Sequence, residues 1–211
     1  MSIVTYNNRS IANISAIPGA AKALTHIKTL TASSSSTLSF VNGSSDVVLD
    51  STYPIYIFKF INVHPSQSNR ERLMFQGSTD SGSNYNTTVT TTIFDAYHDE
   101  ADGTATVGKD DVEDVTQSTS FAPLTPRISS DNDSAGCGEM FLFKPSSTTF
   151  VKHFMFRGPV AFESGGGDPY AFDRHLSGYF NTTSAIDALQ FKFDNGNIDA
   201  GTIKLYGLKD S

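Results

Sequence analysis

The sequence predicts an all-β chain: an antiparallel β-sandwich of jelly-roll type preceded by an extended N-terminal arm. Three observations predict it. Short stretches rich in Phe, Ile, Tyr and Thr alternate apolar with polar residues, the period of a half-buried strand. The breaks between them are made of Ser, Thr, Asn, Gly and Asp, which favour turns. Helical signals are poor: "SAIPGAAKALTHI" holds Ala-rich helix formers for a turn or two after Pro18, and "TTSAID" for one turn more.

Taken in order, residues 1–25 lack a clear apolar face and read as an arm laid on another surface, with residues 26–211 as the sandwich domain. Strands are expected at 26–31, 37–41, 55–61, 73–76, 89–97, 140–143, 150–156, 189–193 and 202–206. About nine strands suit a sandwich or jelly roll. In "YPIYIFKFINV", Tyr56, Phe58 and Phe60 point one way and Ile55, Ile57, Lys59 and Ile61 the other. Both faces are mostly apolar, so this strand belongs mid-sheet, with its second face under a loop or a neighbouring subunit. In "FVKHFMFRG", Phe150, Phe154 and Phe156 share a face with Lys152, opposite Val151, His153 and Met155. The closing stretch sets Leu189, Phe191 and Phe193, then Ile203 and Leu205, against polar neighbours and reads as a hairpin that closes a sheet. The expected interior includes Phe58, Phe60, Phe94, Phe141, Phe143, Phe154, Leu189, Phe191 and Leu205. Two segments, 99–120 and 157–181, read as long loops, where specificity would sit.

Bulk properties exclude several classes. The net charge of −7 over 211 residues argues against nucleic acid and anionic membranes, which need concentrated Lys and Arg. The N-terminus lacks a basic start followed by an apolar core, and no run of eighteen apolar residues occurs. The expectation is a chain made and kept in a cytoplasm. The single cysteine, Cys137, permits no intrachain disulfide and reads as a structural thiol.

Candidate chemistry is sparse. His26, His64, His98, His153 and His175 are scattered without ligand spacing, and no GxSxG elbow occurs. The acidic stretches at Asp99, Glu100 and Asp102 and at 131–133 place oxygen donors close together but lack the full spacing of a calcium loop. Asn-x-Thr triplets at Asn86 and Asn181 follow from composition. The reading is therefore no catalytic residues, no cofactor and no metal. Tyr170, Phe172, Tyr179 and Phe180 in the glycine-rich segment form a candidate ligand or partner loop, since pyranose rings stack on aromatic faces.

Three stretches taken together, "STDSGSNYNTTVTTTIFDAYHDEAD" at 78–102, "LFKPSSTTFVKHFM" at 142–155 and "NTTSAIDALQFKFDNGNIDAGTIKLYGL" at 181–208, resemble a family of virion proteins encoded by tailed phages of marine bacteria, cyanobacterial phages included. The opening "SIVTYNNRSIANI" matches as well, while "RGPVAFESGGGDPYAFDRHL" departs. The resemblance implies a non-enzymatic structural component of the particle: a head decoration, a fibre or a tail or baseplate accessory. Its expected partners are other virion proteins and copies of itself, with a trimer by analogy to other viral jelly rolls. Ile3, Val4, Tyr6, Ile11, Ile14 and Ile17 would hold the arm to its neighbour. The alternative is a carbohydrate- or receptor-binding module of the virion that meets a host surface glycan.

Overall fold

The computed structural model describes residues 24–67, 70–163 and 169–209. They form twelve strands and, among the described residues, no helix: β1 (Leu24–Thr31), β2 (Leu38–Val41), β3 (Ile55–Pro65), β4 (Glu71–Ser78), β5 (Val89–Asp99), β6 (Ala105–Lys109), β7 (Ala122–Ile128), β8 (Gly136–Phe143), β9 (Lys152–Glu163), β10 (Pro169–Phe180), β11 (Ala188–Phe193) and β12 (Ile198–Leu208). Two antiparallel sheets make a β-sandwich. The larger runs β1-β12-β3-β8-β9-β10-β5-β6 and the smaller β2-β11-β4-β7.

The pairing is nested. β1 pairs with β12, β2 with β11, β3 with β8 and β4 with β7, so the first half of the chain meets the second in reverse order. Most links cross from one sheet to the other. The exceptions are the β5–β6 hairpin and the β8–β9–β10 meander, which stay in the large sheet and widen it beyond β8.

The core lies between the sheets and is rich in aromatic rings. Phe191 on the central strand β11 meets Phe58 at 5.5 Å, Phe60 at 5.2 Å and Phe40 at 6.3 Å between ring centroids. Farther along, Phe75 stands edge-on to Phe154 at 5.0 Å. Phe154 also fills the space left by Gly178 on the next strand, where an added Cβ would come within 2.7 Å of its ring. Lys152 is buried with these rings and donates to the Thr182 carbonyl at 3.1 Å, and burial lowers its pKa.

Four sequence expectations change. The closing stretch is not a hairpin within one sheet: β11 lies in the small sheet and β12 in the large one. Alternation fixes which side chains meet the core but not which strand lies alongside, and Leu189 and Leu205 face the core from opposite walls. The segments 99–120 and 157–181 are not simple loops, because β6, the end of β9 and all of β10 lie in them. β10 hid because its core face carries Arg174. β7, with Pro123 and Pro126, was missed altogether, and it occupies an edge of the small sheet, where a missing N–H is tolerated.

The interior also differs. Phe58, Phe60, Phe154, Leu189, Phe191 and Leu205 are buried as expected, but Phe94 is 46% exposed, and Phe141 and Phe143 are half-buried on the outer side. Ile93, Met140 and Leu142 take the core positions instead. In both strands consecutive residues are apolar, so the period-two pattern had two equally good phases.

Candidate functional site

The outer face of the large sheet, turned away from the core, gathers the chemistry. Its composition follows from register. One row across the strands reads Tyr206, Ile57, Phe141, Met155. The next reads Lys204, Lys59, Glu139, Arg157, His175, Phe94. Beyond it come Pro159, Asp173, Ala96 and Val107, then Ala161, Ala171, His98 and Ala105. The face thus passes from large apolar residues through charges to a floor of small ones.

The apolar part is an unusual surface for a lone sandwich. Ile57 is only 6% exposed yet lies outside the core cluster, while Met155 is 45% exposed. Phe141 and Phe143 stack at 6.4 Å with 16° between ring planes. The antiparallel sheet therefore carries apolar side chains on both faces, where one face normally meets water.

The charged row is fixed by ion pairs. Arg157 Nη2 donates to Asp173 Oδ2 at 2.9 Å, and Nε donates to the same oxygen at 3.3 Å. Hydrogen bonds from Arg157 hold the Asp173 carboxyl below its usual pKa, and Asp173 in turn raises Arg157. Lys59 Nζ sits 3.1 Å from Glu139. Such partly exposed pairs add little stability. Their effect is to hold the charges in place.

The small residues floor a broad cleft of about 1380 Å³ between the β5–β6 hairpin and strands β8 to β10. Ala96, Pro159, Ala161 and Ala171 lie along it, with Glu100, Glu139 and Asp173 against a single guanidinium, Arg157. Cys137 borders it, half-buried, with its thiol donating to Asn62 Oδ1 at 3.4 Å.

The aromatic residues expected to form one ligand loop do not converge. All four lie on β10. Tyr170 and Phe172 border the cleft, but by alternation their rings are on the side of Arg174 and Leu176, toward the core, against which Phe172 packs. There Tyr97 stacks on Phe172 at 5.2 Å and meets Tyr170 edge-on at 5.6 Å. Tyr179 is at the far end of the strand beside His153, about 30 Å from Tyr170 at strand rise. Phe180 is fully buried against Phe75 and Phe154. An aromatic platform for a sugar is thus not assembled from them.

The arm residues Ile3, Val4, Tyr6, Ile11, Ile14 and Ile17 lie outside the described residues. Among the described residues no three His, Cys, Asp or Glu side chains come together as a metal site. Asp99 Oδ1 instead accepts from the Gly103 N–H at 2.7 Å, and His98 Nε2 lies 3.1 Å from Asp102. Sequence reasoning missed Arg157, Asp173 and Glu139. The available signal was the glycine run: β9 and β10 pair in register on either side of it, with Pro169 opposite Glu163, as a hairpin reading of that run would require.

Comparison with protein-family models, curated proteins and solved structures returns no match to this chain.

Proposed function

We propose that the chain is a non-enzymatic structural protein of a tailed-phage virion, a surface accessory that assembles through its N-terminal arm and the outer face of its large sheet. The observation that carries the assembly role is the apolar row of Ile57, Phe141 and Met155, in which Phe141 and Met155 stay accessible, on a face that a lone antiparallel sandwich would leave wet. The virion assignment comes from the sequence resemblance. The jelly-roll reading is supported by the nested pairing, since a ribbon of paired strands rolled up produces that order of two Greek keys. A homo-oligomer, proposed as a trimer, would cover the apolar row.

Deleting residues 2–22 is expected to leave the cooperative unfolding of the sandwich intact while excluding the protein from particles. Truncated protein that enters particles at normal copy number would remove the arm from the account. Met155→Glu, an exposed position, is expected to reduce the mass of the free full-length protein in light scattering from oligomer to monomer. An unchanged mass would separate the apolar row from assembly.

A further inference from the structure

The cleft on the outer face differs chemically from the apolar row. Its floor is mainly alanine and proline, with Val107 and the His98 ring beside them, and leaves room for an extended chain bearing branched apolar side chains. Of the three carboxylates at its border, Asp173 is paired with Arg157 and Glu139 with Lys59, which leaves Glu100 to favour an occupant with positive and no negative charge. This chain contains such a segment. Residues 1–23 carry Arg9 and Lys22 and no acidic side chain, in a protein whose net charge is −7. They also contain Ile3, Val4, Ile11, Ile14 and Ile17, β-branched residues that favour extended backbone.

Where the segment joins the sheet bears on whose cleft it fills. Leu24 begins β1, an edge strand of the large sheet, and the cleft lies toward the opposite edge, β6. Twenty-three residues extend to roughly 75 Å, against roughly 34 Å across eight strands. The segment is therefore long enough to leave its own sheet.

We infer that the cleft bordered by Ala96, Ala161, Ala171 and Asp173 is the receptor for residues 1–23 of a neighbouring copy of this chain. The inference rests on the assembly reading above and gives it a specific contact. Arg9 or Lys22 meets the Glu100, Glu139 and Asp173 side, and the isoleucines lie on the small-residue floor. The arms then link subunits head to tail around the oligomer, and a closed ring satisfies every cleft.

Cys137 makes the contact testable in the full-length protein, because it borders the cleft and is the sole thiol of the sequence. Single cysteines are placed at Ile3, Tyr6, Ile11, Ile14 or Ile17 and the proteins are oxidised. At least one is expected to give covalently linked oligomers on a non-reducing gel. The link should vanish when Cys137→Ser is added, and weaken at least tenfold with Asp173→Arg at an unchanged melting temperature. Arm-to-arm links survive Cys137→Ser and so count against the inference. A Cys137-dependent link within one chain would assign the cleft to the chain's own arm, and no link at any position while light scattering still shows an oligomer would remove the cleft as a receptor; either overturns the inference and leaves the assembly reading standing. A monomer under all conditions would overturn both.

Discussion

Replacing Arg174 by Met is expected to destabilise the protein by about 3–5 kcal/mol, the cost of removing one partner from a buried ionic cluster. Arg174 is 1% exposed on the core side of β10. Its Nε donates to Asp95 Oδ1 at 2.9 Å, its Nη2 to Asp95 Oδ2 at 2.6 Å and Asp110 Oδ2 at 3.1 Å, and its Nη1 to Glu113 Oε2 at 2.5 Å. Glu113 also accepts from Arg72 of β4, which pairs with Asp194 between β11 and β12. The network therefore joins the inserted strands β5 and β10 to both sheets. Without the guanidinium, Asp95 keeps its burial and loses its cation, and Glu113 is left with Arg72 alone.

The pH dependence of that loss has a definite sign. Burial already raises the Asp95 pKa, opposed by Arg174. In Arg174→Met the opposition is gone, so the folded-state value rises further above the unfolded one, near 3.9 for an aspartate. The folded variant then binds more protons than the unfolded chain above about pH 4, and its stability falls as pH rises through that window. Urea unfolding of wild type and variant should show a larger gap at pH 7 than at pH 4.5. A gap that is small, or that narrows as pH rises, would mean that the cluster does not hold the insertion in place.

Phe191→Ala is expected to cost about 3–5 kcal/mol, the range for deleting a buried ring. Phe191 is fully buried on the central strand of the small sheet and touches rings from β2 and β3. Phe94→Ala provides the contrast. Phe94 is 46% exposed on the outer face beside His175, and its loss should cost under about 1 kcal/mol, as surface changes usually do. Shifts in denaturation midpoint at unchanged slope give both values. A Phe94 variant as damaged as the Phe191 variant would invert the assignment of faces on β5.

Much of the sandwich was legible because most strands bury one face and alternate. Phe58, Phe60, Leu189, Phe191 and Leu205 could be placed inward from period two alone. What stayed hidden had physical causes. Arg174 interrupts the apolar phase of β10 with a charge whose burial depends on Asp95, 79 residues away in sequence. Met140 and Phe141 offer either phase of β8 to the core. The cleft was invisible because its residues are ordinary alanines and a proline, brought into line only by the register of β5, β9 and β10. The expected aromatic loop failed for the same reason: once the segment is a strand, Tyr170, Phe172 and Phe180 turn to the core side and Tyr179 to the outer one.

On the proposed virion role, the outer face of the eight-stranded sheet is the surface by which this protein joins a particle. Electron cryomicroscopy of the proposed virion, intact, tests this most directly. The prediction is several copies per particle, each with Phe141 and Met155 against a neighbouring subunit. Particles without the protein, or copies whose outer face lies open to solvent, would contradict it.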